Sequence, residues 1–351
     1  MKILILCLPG VGDALMATPM VKVLRKAFPK IQIDLLCIFE GVSHVYKNNP
    51  YVDKVFLVSL YKQKKILGLK RLTPFRNKKY DVSILCFPAY RKEYHLVQWF
   101  IGARKRIAHK FSKGYFSEFN FLDTILIPFD EDEHHLINNL NLLKAMGVDW
   151  RRKNSKKSDF KYDLKLDKED IEFGKEYIKN LKWKDKQVIG FHPGSVNSPM
   201  GLMRRWPIKN FALLGKHLIK KGKKIIIFAG PEELEIGIKL KNLIHDPKNS
   251  HLVHDTKFNQ SVGILSQVNL LITNDNGFGH LANALKIKTI LLVGPTNQKW
   301  CSPYDKKYCK IIRKAKFNPW FRNDLKADDP VPSGIKSGME DITVEDVARE
   351  I

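Results

Sequence analysis

The chain has 351 residues, 44% hydrophobic and 11% aromatic, and carries 61 Lys and Arg against 36 Asp and Glu, a formal net charge of +25. That length exceeds one ordinary small domain and fits two domains of about 150–200 residues, and the apolar content excludes a largely disordered chain. No apolar run reaches the ~18–20 residues that span a bilayer, and an odd count of five cysteines argues against a secreted disulfide framework.

The first run, KILILCL (2–8), is continuously apolar, as a strand buried on both faces should be. The Pro9-Gly10 that ends it is not the small-residue cleavage site of a signal peptide, so a cytoplasmic location is expected. The turn PGVGDALMATP follows. Gly10 and Gly12 allow the backbone to turn tightly and to approach a ligand. Thr18-Pro19 reads as the cap and first-turn pair of a helix running to about Phe28, with Met20, Val21, Leu24, Ala27 and Phe28 on one stripe. This reading puts Asp13 in an irregular turn ahead of the helix, with two roles open to it, structural cap or proton acceptor. The turn is not a dinucleotide fingerprint, because Leu15 stands where the third glycine belongs, and no GK[ST] follows to make a Walker loop.

Strand-like runs recur at IQIDLLC (31–37), KVFLV (54–58) and DVSILCF (81–87), separated by amphipathic segments. Such alternation predicts a parallel sheet with helices on both faces. Cys7, Cys37 and Cys86 fall in these runs and read as small core hydrophobes. Two basic stretches, YKQKKILGLKRL (61–72) and RRKNSKK (151–157), are candidates to sit on anionic lipid. The polar stretch 149–170 breaks the pattern and reads as a linker, which divides the chain into domains 1–165 and 166–351.

The second half restarts the alternation. QVIGFHPG (187–194), KIIIFAG (224–230), NLLITND (269–275) and TILLVGP (289–295) are strands ending in Gly, Pro, Asn or Asp. Ligands of open α/β sheets gather beyond such carboxyl ends. FALLGKHLIKKG (211–222) is a helix closed by Gly222, and DITVEDVAREI is a last helix capped by Thr343. In TNDNGFGHLANAL (273–285) a strand passes through Asp275, Asn276, Gly277 and Gly279 into a helix carrying His280. Backbone N–H groups at a helix start bind phosphate, and His280 adds a donor. His280 is equally readable as a packed helix-start residue. Ser195 in HPGS and Arg205 before Trp206-Pro207 offer a hydroxyl and a cation for a diphosphate, or else a solvated loop. In FAGPEELE the acids Glu232 and Glu233 either favour a helix start or accept hydrogen bonds from ribose hydroxyls. Thr296 marks one more strand end, in GPTN. Cys301 and Cys309 have no further Cys or His near enough in sequence to complete a zinc site.

The order and wording of these motifs resemble glycosyltransferase family 9, the heptosyltransferases of lipopolysaccharide core synthesis. The likeness runs from Gly12-Asp13, Thr18-Pro19 and Phe28-Pro29 through HPGS, Arg205-Trp206-Pro207, AGPEE and NDNGFGH to GPT. It implies a GT-B fold, two Rossmann-like domains with a central cleft. The N-terminal domain would take the acceptor and the C-terminal domain a nucleotide sugar, typically ADP-heptose. It implies inverting transfer with no metal ion and no cofactor. Position by position, Asp13 matches the general base, with Gly10 and Gly12 in the acceptor-side loop. Ser195, Arg205, Asp275, Asn276, Gly277, Gly279, His280 and Thr296 match the donor and phosphate site, and Glu232 the acid near the nucleotide ribose. Three departures concern the sugar more than the reaction class: Arg205 replaces the usual Lys, Asn276 replaces Ser or Thr, and the later Cys-rich segment is reduced to Cys301 and Cys309.

The expected partners are a nucleotide sugar, a lipid-linked glycan acceptor and, through the basic surface, the inner face of an anionic membrane. Two alternatives are a transferase of the same fold using another nucleotide sugar and a non-catalytic nucleic-acid-binding protein. The second rests on charge alone, and no recognisable nucleic-acid module interleaves the basic residues with aromatics.

Overall fold

The apolar runs become two six-stranded sheets, each wholly parallel. A computed structural model describes residues 1–59, 70–111, 116, 118–151, 160–316, 318, 320–321 and 329–351. Most of the basic stretches 61–72 and 151–157 lies outside the described residues. The chain divides into two units, Met1–Lys165 with Lys299–Cys301, and Leu166–Gln298 with Ser302–Ile351.

In the first unit the strands are β1 (Lys2–Cys7), β2 (Gln32–Cys37), β3 (Lys54–Leu57), β4 (Val82–Leu85), β5 (Lys105–Lys110) and β6 (Ile125–Pro128), in spatial order β3-β2-β1-β4-β5-β6. The central strands are buried on both faces: Ile3 to Cys7 and Val82 to Leu85 all lie inside. In the second unit the strands are β7 (Val188–His192), β8 (Lys224–Phe228), β9 (Ser250–Val253), β10 (Leu270–Asn274), β11 (Lys288–Leu292) and β12 (Cys309–Ile312), in order β12-β11-β10-β7-β8-β9. Counted within each unit, both orders are 3-2-1-4-5-6, that of doubly wound nucleotide-binding sheets. Each sheet therefore has one topological switch point, between β1 and β4 in the first unit and between β7 and β10 in the second. Crossovers leave these neighbouring strands to opposite sides, so a crevice opens beyond their carboxyl ends.

The first helix corrects the sequence reading. It starts at Val11 and runs unbroken to Ala27, with Gly10 as its N-cap and Pro19 inside it. Thr18 is therefore not a cap. Pro19 has no N–H to give the carbonyl of Leu15, and the Thr18 hydroxyl donates to that carbonyl instead, at 2.7 Å. The Thr18 hydroxyl oxygen also accepts from the backbone N–H of Asp163 at 3.0 Å. A side chain thus repairs the bond that proline removes, and Asp13 sits in the helix's first turn, not in a loop before it.

Elsewhere the helix ends follow their residues. Gly222 adopts φ +78° just beyond the helix Ile208–Lys220, and Thr343 accepts from the Asp346 N–H at the start of Val344–Ala348. The helices Lys168–Asn180 and Phe258–Leu265 cross at two glycines. A Cβ on Gly174 would stand 2.1 Å from the Gly263 carbonyl oxygen, and one on Gly263 would stand 2.0 Å from that of Asp170. Neither oxygen belongs to a side chain that can swing away. Gly263→Ala should therefore destabilise the second unit by about 1–3 kcal/mol, read as a lowered thermal midpoint. An unchanged midpoint would mean the helices part without cost.

Candidate active site

The switch point of the second sheet collects side chains from five stretches of sequence. β7 ends at His192 and β10 at Asn274, and their followers form a hydrogen-bonded floor. The Asn274 amide donates to the Pro193 carbonyl at 2.8 Å, and its oxygen accepts from the Trp206 N–H at 3.0 Å. Trp206, 1% exposed, is also tied by its indole N–H to the Ile342 carbonyl at 2.8 Å. The loop bearing Arg205 is thereby stapled to the end of β10. The Arg205 guanidinium donates to the Ser195 carbonyl at 2.6 Å, while its Nε has no hydrogen-bond partner among the described residues. Ser195 and Thr296 are buried, and the Thr296 hydroxyl donates to the Asp275 carboxylate at 3.0 Å.

Asn276 is the N-cap of the helix Gly277–Ala284. Its side-chain oxygen accepts from the N–H groups of Phe278 and Gly279 at 2.9 and 3.4 Å. Those two donors, expected from sequence to serve a phosphate, already have a partner within the protein. The Asn276 amide nitrogen donates to the Gly194 carbonyl at 2.9 Å and lies 3.0 Å from Nδ1 of His192. With the amide oriented by these contacts, Nδ1 accepts and Nε2 carries the ring proton. Nε2 in turn meets a Glu233 carboxylate oxygen at 3.3 Å, and the Phe278 ring stacks on the imidazole with centroids 4.6 Å apart. Gly194 permits this approach, since a Cβ there would fall 2.2 Å from the Glu233 carboxylate. A Cβ on Gly279 would stand 2.8 Å from Cδ1 of Leu291, so the leucine side chain would have to shift to admit it. His280 is buried in the same helix.

The acid built into this network is Glu233, one position beyond the Glu232 picked by motif matching; Glu232 is exposed. Burial alone would push the Glu233 carboxyl up. The hydrogen bond from His192, the Gly230 N–H and the charge of Arg205 outweigh that and hold it below its ordinary 4.5. A depressed carboxyl stabilises the fold above its unfolded value, and that contribution is lost as pH falls through the folded one. Glu233→Gln should lower the thermal midpoint at pH 7 by roughly 2–4 °C. The gap to wild type should close as pH drops below about 4. A gap independent of pH would show that the ionised carboxylate is not what Gln removes.

In the first unit the switch point carries the Gly10–Asp13 turn. Gly10 has φ −77° and ψ −179°, and a Cβ would meet nothing within 4 Å, so the backbone does not require glycine there. Asp13 is half-buried, with Gly12 beside it. Below them Cys7, Cys37 and Cys86 are fully buried at the ends of β1, β2 and β4. The Cys7 thiol is held well up first by its hydrogen bond with Cys86, then by burial and by neighbouring charges that include Asp13. The Tyr46 hydroxyl donates to the Ala14 carbonyl at 2.9 Å and fixes the first turn from the other side.

The sequence profile of glycosyltransferase family 9 (heptosyltransferase) matches residues 74–326. The chain belongs to this family. Lipopolysaccharide heptosyltransferase 2 of Escherichia coli K12 is 26% identical over 48% of the chain, which spans only 46% of that protein. Lipooligosaccharide heptosyltransferase 2 of Haemophilus ducreyi is 24% identical over 89% of the chain and 88% of its own length. The solved structure of E. coli ADP-heptose lps heptosyltransferase II superimposes with a TM-score of 0.76 at 20% identity, covering 100% of this chain and 97% of that one. The fold is the GT-B type of heptosyltransferase structures.

Within the family 9 fold, Ser195, Arg205, Asp275, Asn276, Gly277, Gly279, His280 and Thr296 all fall in the second unit, and Gly10, Gly12 and Asp13 in the first. His192, the first residue of HPGS, and Asn274 carry no assigned role in the sequence reading. Each is the last residue of a strand at the switch point, and that position was the available signal. Cys309 is buried on β12, and burial pushes its thiol up to about 12.

Proposed function

We propose that the chain is an inverting, metal-independent heptosyltransferase that takes its sugar from ADP-heptose and delivers it to a lipopolysaccharide-core acceptor. The observation that carries this reading is the convergence of His192, Ser195, Arg205, Glu233, Asp275, Asn276 and Thr296 at one switch point, in a family 9 chain. Sheets of this topology bind nucleotides at that point. Arg205 supplies positive charge for a diphosphate. Glu233, with Glu232 beside it, supplies an acceptor for ribose hydroxyls.

Asp13 takes the proton of the acceptor hydroxyl as its oxygen attacks the anomeric carbon. The bond from that carbon to the diphosphate breaks, and the electron pair leaves with the phosphate oxygen. Charge gathering there is met by Arg205 and His280. The protein works without a cofactor, on the cytoplasmic side, against a lipid-linked acceptor. Membership of a transferase family speaks against the non-catalytic nucleic-acid reading that charge alone suggested.

Titration calorimetry with ADP, UDP and GDP, paired with transfer assays using the matching sugars, tests the donor. ADP should bind tightest and ADP-heptose should turn over, with EDTA leaving the rate unchanged. A preference for UDP or GDP would favour the second reading, another nucleotide sugar on the same fold. That reading has one observation behind it, Asn276 in place of the usual Ser or Thr. Activity lost to EDTA and restored by a divalent ion would remove the metal-independent mechanism.

A further inference from the structure

Four Phe and Trp side chains stand out as exposed among the described residues: Phe39, Trp99, Phe116 and Phe121. Three of them belong to one stretch of the first unit, between β4 and β6. Phe116 is 75% exposed, Phe121 50% and Trp99 49%. Phe121 links the others in its loop, with ring centroids 6.4 Å from Phe116 and 5.5 Å from Phe119. Lys92 places its ammonium 6.0 Å from the centre of the Phe119 ring. Lys92 and Trp99 lie seven residues apart on the helix Lys92–Ile101, hence on one face of it. Half-buried Leu96 lies between them on that face. The helix in turn packs on the segment Asn120–Leu122.

The stretch of sequence that carries these aromatics is basic. Residues 90–124 contain seven Lys and Arg against three Asp and Glu. Of the acids, Asp123 is buried against His95 at 2.8 Å and does not face solvent. Lys105 is exposed at the start of β5, and Arg106 donates to the Leu122 carbonyl at 2.7 Å, beside Phe121. Arg76 reaches the end of the helix, donating to the Phe100 carbonyl at 2.8 Å. Exposed aromatics set among cations are costly in water and well matched to a lipid headgroup layer. There the rings enter the acyl boundary while the cations meet lipid phosphate.

We propose that this aromatic and basic face is where the chain lies on an anionic bilayer, with Trp99, Phe116 and Phe121 entering the headgroup region. The inference rests on the reading above, in which the acceptor is lipid-borne, and it names the surface that brings the enzyme to it. No described helix is long and apolar enough to cross a membrane, so such contact would be made from one side.

Sedimentation with vesicles tests it, comparing phosphatidylcholine alone with phosphatidylcholine mixed with phosphatidylglycerol. The full chain should bind the mixed vesicles. The triple variant Trp99→Ser, Phe116→Ser, Phe121→Ser should bind them at least ~10-fold more weakly. Lys92→Gln with Lys105→Gln should weaken binding about fivefold per cation. Unaltered thermal midpoints confirm that these surface variants are folded. Undiminished vesicle binding by the triple variant overturns the proposal. So does a dimer of the wild-type chain that the triple variant abolishes, without vesicle binding, since the face would then join two copies. Transfer to a delipidated soluble acceptor should be the same for wild type and triple variant. If neither transfers, the proposed function fails while the vesicle result still stands.

Discussion

Replacing Asp13 with Ala is expected to lower turnover by roughly 10²–10⁴ while leaving nucleotide-donor affinity nearly unchanged. The separation follows from position. Asp13 is on the first helix of the first unit, and the residues assigned to the donor lie in the second. The competing role, an acid favouring a helix start, is worth about 0.3–1 kcal/mol and acts on stability alone. Asp13→Asn separates the two further, because it keeps the side chain's size while removing the proton acceptor. Single-turnover rates, calorimetric donor binding and thermal midpoints measured on the same variants decide the matter. Variants with full turnover and only a small fall in midpoint would leave Asp13 as a helix-start residue. The structure strengthens the case for this test, since it moves Asp13 from a loop into a first turn whose cap, Gly10, has no side chain.

The second large effect is expected at Arg205. Arg205→Gln should lower kcat by about 10²–10³, the usual cost of losing a charge that stabilises a leaving oxyanion. Arg205→Lys should recover most of that loss, since lysine is the residue usual at this place in the family. It gives up the bond to the Ser195 carbonyl but keeps the charge. If Lys fails to rescue while Gln retains substrate binding, Arg205 acts by holding the Ser195 loop and not by neutralising the diphosphate. Equal rates for Gln and wild type would take the residue out of the mechanism.

Much of this could be read from the residues. Continuous apolar runs such as KILILC and KIIIF are buried as strands, because a parallel sheet covered on both faces leaves its central strands no polar side. The less regular strands were harder. KRIAHK in β5 buries only its middle, and its charged ends hide a strand from an apolar-run search. Thr18-Pro19 misled for a physical reason. It has the composition of a helix start, yet a threonine hydroxyl can replace the N–H that proline lacks and keep the helix whole.

The site divides in the same way. The order and wording of the motifs gave the resemblance to the transferase family, and that resemblance marked Asp13, Arg205, Asp275 and Thr296. It did not distinguish Glu232 from Glu233, because neighbouring residues in a short helical turn differ in direction and not in composition. Only the tertiary structure turned Glu233 toward His192 and Gly194 and left Glu232 in solvent. It alone joined Asn276 to His192 and Asn274 to Trp206, across separations of 84 and 68 residues. Local residue patterns determine which segments form strands and turns. Which turns share a switch point is decided by the strand order of the folded sheet, which no local pattern contains.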